Sequence, residues 1–212
     1  MLSIVLLRHG KTAGNQLGRY NGRTDEPLCE EGIREAEAAE RHPEIQLVYS
    51  SPMLRARQTA KICFPNAEII PIPNLREMDF GDFEGRTAQE MELDPVYRTW
   101  VDGGCVDRCP NGEGIRDFGR RASAAFARVV SDAIARGATE IGVTAHGGVI
   151  MAVMTAFSGI DAPYDNWYVL NCGGFCITIE EADWARTKRF SSYVMFGHKG
   201  KGSDMVGREL GS

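Results

Sequence analysis

Short apolar segments alternate along the chain with longer amphipathic ones, and this alternation limits the fold more strongly than any other feature. Alternating strands and helices are typical of α/β folds built on a largely parallel sheet. Strands are predicted over residues 4–7, 47–49, 69–72, 140–145, 175–179 and 190–196. The longer helices predicted between them cover residues 31–41, 115–136 and 148–157. We therefore expect an α/β three-layer sandwich, with a mostly parallel central sheet flanked by helices.

Local capping signals indicate where several helices begin and end. Over residues 115–136 apolar side chains recur at 3.6-residue spacing, and Gly137 suits the C-terminal stop of this helix. The sequence Ser-Ser-Pro at residues 50–52 predicts a helix start, because serine can cap a helix and its first turn tolerates proline. Thr87 and Glu90 have the spacing of a capping box, which predicts a further short helix.

The chain of 212 residues is long enough for one domain with a sizeable core, which we place at residues 1–196. Residues 94–114 form the irregular stretch of this domain, and we interpret them as a flap over a site. Residues 197–212 are rich in glycine and charge, which predicts a mobile tail.

Charge and hydropathy limit the classes of partner. The formal net charge is -5, so a chain-wide preference for nucleic acid is not indicated. No apolar segment approaches transmembrane length and no targeting segment is evident, so we expect no membrane partner and a cytoplasmic location. A homodimer is left open.

Two pairs of cysteines have C-x3-C spacing, namely Cys105 with Cys109 and Cys172 with Cys176. Reduced thiols are one interpretation of these cysteines, and a zinc site is the alternative.

Arg8, His9 and Gly10 follow the first predicted strand, at the end of a strand where open α/β sheets bind ligands. An imidazole can attack phosphorus, and the planar guanidinium of an arginine can bind phosphate oxygens. The alternative is a hydrogen-bonded structural histidine at a strand end, so the tripeptide alone leaves both interpretations open.

A second histidine, His146, follows another predicted strand and precedes Gly147 and Gly148 at a helix start. The free N–H groups and the macrodipole of a helix N-terminus bind anions, and glycines let a phosphate approach closely. Two strand ends that each present a histidine are harder to explain by packing than one. Together they favour a phosphate site.

Two further segments supply charged side chains. Arg55 and Thr59 share one face of the helix predicted after residue 52, where Arg55 is either a second phosphate clamp or a solvated surface residue. Residues 75–85 carry several carboxylates, among them Glu77. A glutamate can act as a general acid when its pKa is raised, and a bound phosphate dianion raises that pKa by repulsion.

Taken together and in their order along the chain, these sequence motifs resemble those of the histidine phosphatase superfamily, in its phosphoglycerate-mutase-like branch. The resemblance runs from Leu6 to about Gly174, which is most of the chain. The matching blocks include Arg8-His9-Gly10, Asn15, Tyr20-Asn21-Gly22, Ser50-Ser51-Pro52, Arg55-Ala56, Gln58-Thr59-Ala60, Glu77-Met78, Phe80-Gly81, Glu84-Gly85 and Ala145-His146-Gly147-Gly148. The resemblance implies the phosphoglycerate-mutase-like fold and a phosphatase that hydrolyses phosphate monoesters.

The resemblance also implies a role for each site residue. His9 would form a phosphohistidine, and Glu77 would protonate the leaving alcohol and later activate water. Asn21 and Gly22 would line the substrate site by side chain and backbone. The phosphate-binding residues would be Arg8, Arg55, His146, Asn15 and Gly147. No metal or organic cofactor is expected, and the expected partner is a small-molecule phosphate ester.

The branch is indicated by residues 109–114, Cys-Pro-Asn-Gly-Glu-Gly, with Phe118 and Arg121 after them. This segment is similar to that of alpha-ribazole phosphatase and related broad phosphatases, so alpha-ribazole phosphate or another small phosphorylated metabolite is the expected substrate. The usual serine is Gly114 here, and Glu113 either contacts substrate or places a favourable charge at a helix N-terminus. A cofactor-dependent phosphoglycerate mutase and a non-catalytic phospho-ligand binding module are the alternatives.

Four aromatic residues are candidates for lining a pocket that holds an aromatic leaving group: Tyr97, Trp100, Trp167 and Tyr168. Packing in the core or at an edge is the more frequent use of such side chains. Tyr97 and Trp100 lie in the predicted flap and are the preferred pair.

Overall fold

The computed structural model describes residues 1–197 of the chain. The tail predicted over residues 197–212 therefore lies outside the described residues, apart from Gly197. Within the described range the cysteines are all free, and no three metal-ligating side chains cluster. None of the helices in this range combines the length and the apolar character needed to cross a membrane.

A single six-stranded sheet forms the centre of the described residues. Its strands are β1 Leu2–Arg8, β2 Leu47–Ser50, β3 Glu68–Pro71, β4 Glu140–Ala145, β5 Gly174–Ile179 and β6 Ser192–Phe196. Across the sheet the order is β3-β2-β4-β1-β5-β6. β3, β2, β4 and β1 run parallel, whereas β5 is antiparallel to both of its neighbours. The predicted mostly parallel sheet is confirmed, with β5 as the reversed strand.

Helices cover both faces of the sheet. They are α1 Ala13–Gln16, α2 Glu30–Ala38, α3 Leu54–Cys63, α4 Pro95–Asp102, α5 Ile115–Ala135, α6 Gly147–Phe157 and α7 Glu181–Thr187. Along β1, Leu2, Ile4 and Leu6 belong to the core shared with α5 and α6, whereas Leu7 packs in a smaller core with α2 and α3. Because alternate side chains of a strand point to opposite faces, the core is divided into two layers. The predicted three-layer sandwich is confirmed.

The boundaries of α5 agree closely with the periodicity of the sequence. The helix ends at Ala135, and Gly137 follows with a φ of 71°. Glycine adopts this left-handed conformation without the steric cost of a Cβ, so the predicted C-terminal stop is confirmed.

The helix predicted to open at residues 50–52 begins later, at Leu54, and its N-cap Met53 makes no side-chain capping bond. The hydroxyl of Ser51 instead lies 2.7 Å from His146 Nε2. The prediction of a serine cap is wrong because the helix starts three residues after Ser51, whose hydroxyl accepts from Met53 N at 3.4 Å and contacts His146, a partner distant in sequence.

Thr87 and Glu90 make both hydrogen bonds of a capping box, at 2.8 and 3.1 Å, yet residues 88–93 form turns. Pro95 disfavours a helical conformation in the residue before it, and Asp94 is extended with φ -76° and ψ 113°. The short helix predicted here is therefore wrong. The next helix, α4, begins at Pro95 and is capped by Asp94.

Residues 94–114 are not irregular throughout, because α4 lies within them. Tyr97 and Trp100 of this helix are buried. The hydroxyls of Tyr97 and Tyr20 lie 3.0 Å apart, and the indole nitrogen of Trp100 donates to the carbonyl of Asp107 at 3.0 Å. The polar atoms of both aromatic side chains are thus already bonded within the protein. Movement of this segment as a flap stays a prediction.

Candidate active site

The two histidine motifs meet because β1 and β4 are parallel neighbours in the sheet. Arg8 stands opposite Ala145 in the register, and the amide of His9 donates to the carbonyl of Ala145 at 3.0 Å. The rings of His9 and His146 follow directly, with centroids 5.0 Å apart and an interplanar angle of 65°. The two strand ends singled out in the sequence thus form one site.

The hydrogen bonding of His9 determines which ring nitrogen can attack. Its Nδ1 lies 2.7 Å from the carbonyl oxygen of Gly10. Since a carbonyl only accepts, Nδ1 carries the proton and the lone pair of a neutral ring remains on Nε2. Burial, followed by the positive charges of Arg55 and Arg8, holds the pKa of His9 well below its usual value. The ring is therefore neutral at physiological pH and nucleophilic at Nε2.

Arg55 is completely buried, with 0% of its surface exposed. Its guanidinium donates from Nη1 to the carbonyl of Thr24 at 2.7 Å and from Nη2 to the carbonyl of Gly22 at 2.9 Å. The hydroxyl of Thr59 joins the two halves of the site, because it accepts from Gly10 N at 3.0 Å and donates to Arg55 O at 2.8 Å. The alternative of a solvated surface arginine is wrong.

Arg8 and His146 complete a cluster of nitrogen donors. Arg8 donates from Nη1 to the carbonyl of Val169 at 2.6 Å, and its guanidinium carbon lies 5.4 Å from the centre of the Tyr168 ring. Burial, followed by the charge of Arg55, lowers the pKa of His146. When Ser51 donates its hydroxyl proton to Nε2 of His146, Nδ1 of that ring carries a proton and is a donor.

Three buried nitrogens of these residues have no hydrogen-bond partner in the described part of the chain: Arg8 Nε, Arg55 Nε and His146 Nδ1. An unpartnered buried donor costs about 1–3 kcal/mol, so a folded protein rarely leaves several together. Donors grouped beside a neutral histidine are the arrangement that binds the oxygens of a phosphoryl group.

Glu77 is buried, lines the same cavity as Arg8 and is fixed by two backbone amides. Oε1 accepts from Met78 N at 3.0 Å, and Oε2 accepts from Gly148 N at 2.9 Å. Burial raises the pKa of Glu77, although the two amides and the neighbouring arginines oppose this shift. A carboxyl group with a raised pKa is suited to donate a proton. A Cβ on Gly148 would collide with Oε1, so the close approach requires glycine.

Asn21 and Gly22 lie beside the cluster and support Arg55. Both carbonyls accept from Nη2, at 3.3 and 2.9 Å. The amide of Gly22 donates to Glu84 at 3.0 Å, and the side chain of Asn21 donates to Glu26 and to the hydroxyl of Thr12. The backbone of this segment therefore binds the guanidinium of Arg55. Direct substrate contact by Asn21 and Gly22 stays a prediction.

Asn15 and Gly147 lie at the two helix starts of the site. Asn15 forms a capping box with Thr12, in which Oδ1 accepts from Thr12 N at 3.2 Å and Asn15 N donates to Oγ1 at 3.2 Å. Gly147 is the first residue of α6, and a Cβ there would lie 3.4 Å from the guanidinium carbon of Arg8. Their phosphate-binding roles stay predictions.

Several supporting residues were not identified from the sequence as parts of the site. Asn171 donates to the carbonyl of His9 at 2.9 Å, and Tyr164 donates to the carbonyl of Gly148 at 2.7 Å. Neither lies in a recognisable motif, so no local signal could have identified them. Ser51 lies in a motif, but was interpreted as a helix cap.

Glu113 and Arg121 form a bidentate ion pair, with Nε–Oε1 at 2.8 Å and Nη2–Oε2 at 2.7 Å. Arg121 also donates to the carbonyls of Asn74, Arg76 and Glu77 at 2.9, 3.0 and 3.2 Å. The interpretation of Glu113 as a charge at a helix N-terminus is therefore incomplete. Its carboxylate fixes the arginine that holds the Glu77 segment.

A cavity of about 280 Å³ opens beside the cluster, with Arg8, Glu77 and Gly147 at its polar end. Trp100, one of the preferred pair, and Tyr168 line it, whereas contact of either with a leaving group stays a prediction. Tyr97 and Trp167 do not line it and pack against other aromatic rings.

Comparison with known proteins gives consistent results. The family model of the histidine phosphatase superfamily (branch 1) matches residues 4–190. Over 194 residues, the chain is 30% identical to the probable phosphoglycerate mutase GpmB of Yersinia pestis (strain Pestoides F), covering 87% of this chain and 88% of that protein. The alpha-ribazole phosphatase of Shigella flexneri has 26% identity and a TM-score of 0.74, covering 85% of this chain and 92% of that structure. The phosphoglycerate mutase of Thermus thermophilus has 30% identity and a TM-score of 0.63, covering 93% and 100% respectively.

Proposed function

The chain belongs to branch 1 of the histidine phosphatase superfamily, and on that premise we propose that it hydrolyses phosphate monoesters through a phosphohistidine formed on His9. The substrate is alpha-ribazole phosphate or another small phosphorylated metabolite. The observation that carries the proposal is the neutral His9 ring, with Nδ1 bonded to Gly10 and Nε2 left to attack, beside three buried donor nitrogens that have no partner among the described residues.

The first half of the reaction transfers the phosphoryl group to the protein. Nε2 of His9 forms a bond to phosphorus while the bond from phosphorus to the alcohol oxygen breaks, and the electron pair leaves with that oxygen. Glu77 donates its proton to the departing oxygen. Arg8, Arg55 and His146 bind the phosphoryl oxygens, whose negative charge spreads in the transition state.

The second half restores the protein. Glu77, now a carboxylate, takes a proton from water, and the water oxygen attacks phosphorus. The bond from phosphorus to Nε2 breaks, its electron pair returns to the ring, and inorganic phosphate leaves. Since the same carboxyl group serves as acid and then as base, a pKa raised by burial suits both halves.

The experiment that tests this proposal is phosphate release from a panel of monoesters with chelator present. The panel contains alpha-ribazole phosphate, p-nitrophenyl phosphate, sugar phosphates and 3-phosphoglycerate. His9→Asn should abolish release, whereas His42→Asn should not, because the ring of His42 pairs with Glu44 at 3.2 Å and stacks on Phe64, away from the residues of the site. Equal release by wild type and His9→Asn would refute the role of His9.

A phosphoglycerate mutase is the second candidate, favoured by the identity to GpmB and to the Thermus thermophilus protein. It predicts isomerisation of 3-phosphoglycerate rather than release of phosphate. A phospho-ligand binding module is the third, and it predicts binding without turnover of any ester. A cytoplasmic location, the absence of nucleic-acid binding and a homodimer stay predictions, to be tested by cell fractionation, a filter-binding assay and sedimentation.

A further inference from the structure

The cavity beside Glu77 lies where the alcohol part of a substrate must sit, since Glu77 is the group that would protonate the departing oxygen. Arg8 and Glu77 mark the end next to the phosphoryl site. Beyond them the walls are apolar, and five of the lining residues are aromatic: Phe80, Trp100, Phe118, Tyr164 and Tyr168. Burial of apolar surface is therefore the main interaction that this cavity offers.

Two of the three polar groups on these aromatic walls are engaged within the protein. The hydroxyl of Tyr164 donates to Gly148 O at 2.7 Å, and the indole nitrogen of Trp100 donates to Asp107 O at 3.0 Å. The hydroxyl of the third, Tyr168, belongs to a residue that is 47% exposed. A hydroxyl that enters the apolar part of the cavity would lose its bonds to water and find few replacements. Such an exchange costs free energy for each hydroxyl that stays unpaired.

Within residues 1–197 the cavity offers no cation for a second acidic group. Among the lining residues in this range Arg8 is the one basic side chain, and it belongs to the phosphate clamp. Nearby Arg121 does not line the cavity, and its guanidinium is bonded to Glu113 and to backbone carbonyls. A carboxylate on the alcohol would be buried without a partner, beside the carboxyl group of Glu77.

We propose that the preferred substrates are phosphate monoesters of neutral alcohols that carry an aromatic ring or a similar apolar group, held by the cavity around Trp100, Phe118 and Tyr164. This inference rests on the proposed function, because it assigns the leaving group of that same reaction. The cavity volume of about 280 Å³ lies just below the roughly 300–1,000 Å³ of sites for drug-sized ligands, so it suits one or two rings.

The test uses pairs of esters whose alcohols differ in charge or in hydroxyl groups, while the leaving oxygen always belongs to an alkyl alcohol. The kcat/KM of benzyl phosphate is compared with that of 4-carboxybenzyl phosphate and of glycerol 3-phosphate. We expect benzyl phosphate to be favoured over each by roughly 10- to 100-fold. A ratio near one, or a preference for the charged or hydroxylated ester, would overturn the inference.

A variant with a new charge in the wall makes the test specific to the cavity. Ile115 lines the cavity and is half-buried, so Ile115→Lys should reduce the preference for benzyl over 4-carboxybenzyl phosphate by about tenfold. Ile115→Leu keeps the wall apolar and should keep the wild-type ratio. Leu93→Lys adds the same charge at a residue that is 94% exposed, and should also keep it.

Comparing two esters on one variant cancels any general effect of the substitution on folding or on Glu77. An unchanged ratio in Ile115→Lys would contradict the assignment of this cavity to the alcohol. If none of the esters shows release that depends on His9, the proposed function fails and this inference falls with it. If release depends on His9 but the charge preference is absent, the inference alone fails.

Discussion

Arg121 holds the segment that carries Glu77, the proposed general acid. Its replacement by methionine should therefore affect both the stability of the protein and proton donation to the leaving alcohol. The guanidinium pairs with Glu113 and donates to the carbonyls of Asn74, Arg76 and Glu77. In Arg121→Met these acceptors lose their donor, and Glu77 loses the contact that fixes its backbone. Stability and proton donation should therefore both fall.

The size of the loss follows from burial. The side chains of Arg121 and Glu113 are 13% and 18% exposed. Removing one partner of a buried ion pair costs about 3–5 kcal/mol of stability. Because this pair is partly exposed, the free energy of unfolding should fall by about 3 kcal/mol. The rate should fall by up to the roughly 10²–10⁴-fold that a general acid contributes.

The assay compares two leaving groups. Benzyl alcohol needs a proton as it departs, whereas p-nitrophenolate leaves as a stable anion. In Arg121→Met, kcat/KM for benzyl phosphate, which reports the steps up to departure of the alcohol, should therefore fall about 100-fold or more, while kcat/KM for p-nitrophenyl phosphate falls much less. Urea unfolding measures the loss of stability in parallel.

A double variant separates stability from positioning. Replacing both partners of a buried ion pair with apolar residues is often neutral, so Glu113→Leu with Arg121→Met should recover the part of the lost stability that comes from the unpaired carboxylate. It should not recover the part that comes from the carbonyls, or kcat/KM for benzyl phosphate, and the Asp79 amide, which donates to Glu113 at 3.0 Å, loses its acceptor. An equal fall of kcat/KM for both esters, or recovery of kcat/KM for benzyl phosphate in the double variant, would refute the positioning role of Arg121.

Two further predictions concern Glu77 and His9. Gly148→Ala should lower kcat for benzyl phosphate by about 10²-fold, because its Cβ would displace Glu77. The control is Gly119→Ala, whose Cβ meets no described atom within 4 Å and which should be neutral or slightly stabilising. Equal kcat in the two variants would count against a collision between the Cβ at residue 148 and Glu77. The folded-state pKa of His9 is depressed, so below about pH 6.5 the unfolded chain binds the extra proton and stability falls as the pH falls. Urea unfolding at a series of pH values gives the free energy of unfolding as a function of pH. Its slope against pH should be steeper in wild type than in His9→Asn by up to about 1.4 kcal/mol per pH unit, and parallel curves would contradict this prediction.

The sequence was sufficient for the layers of the fold and for placing both histidines at the ends of strands. Alternating apolar segments predict the sheet, and the ends of parallel strands meet at one edge. His9 and His146 therefore come together as soon as β1 and β4 are neighbours. That adjacency follows from the order of strands across the sheet, which local patterns do not encode.

The surroundings of Arg55 could not be predicted from its helix. An arginine in a first turn is usually solvated, and the residues that bury this one lie 31 to 34 positions earlier in the chain. The carbonyls of Asn21, Gly22 and Thr24 point at its guanidinium because a loop passes over the start of α3. Such contacts between distant segments leave no periodic signal.

Local signals were also overruled by neighbours. Ser51 has the chemistry of a helix cap, but its hydroxyl contacts His146. Thr87 and Glu90 make the bonds of a capping box without a helix, because Pro95 restricts the residue before it. Each of these residues has the capping propensity of its amino-acid type. Whether it caps a helix depended on tertiary contacts and on the following proline.

The most direct test of the account is to trap the phosphorylated protein during turnover. Wild type is mixed with an ester labelled in its phosphoryl group and quenched within milliseconds, and the bound label is tested for stability to acid and base. We predict a base-stable, acid-labile label that maps to His9 and is absent in His9→Asn. Turnover without such a label, or a label that persists in His9→Asn, would contradict the phosphohistidine mechanism.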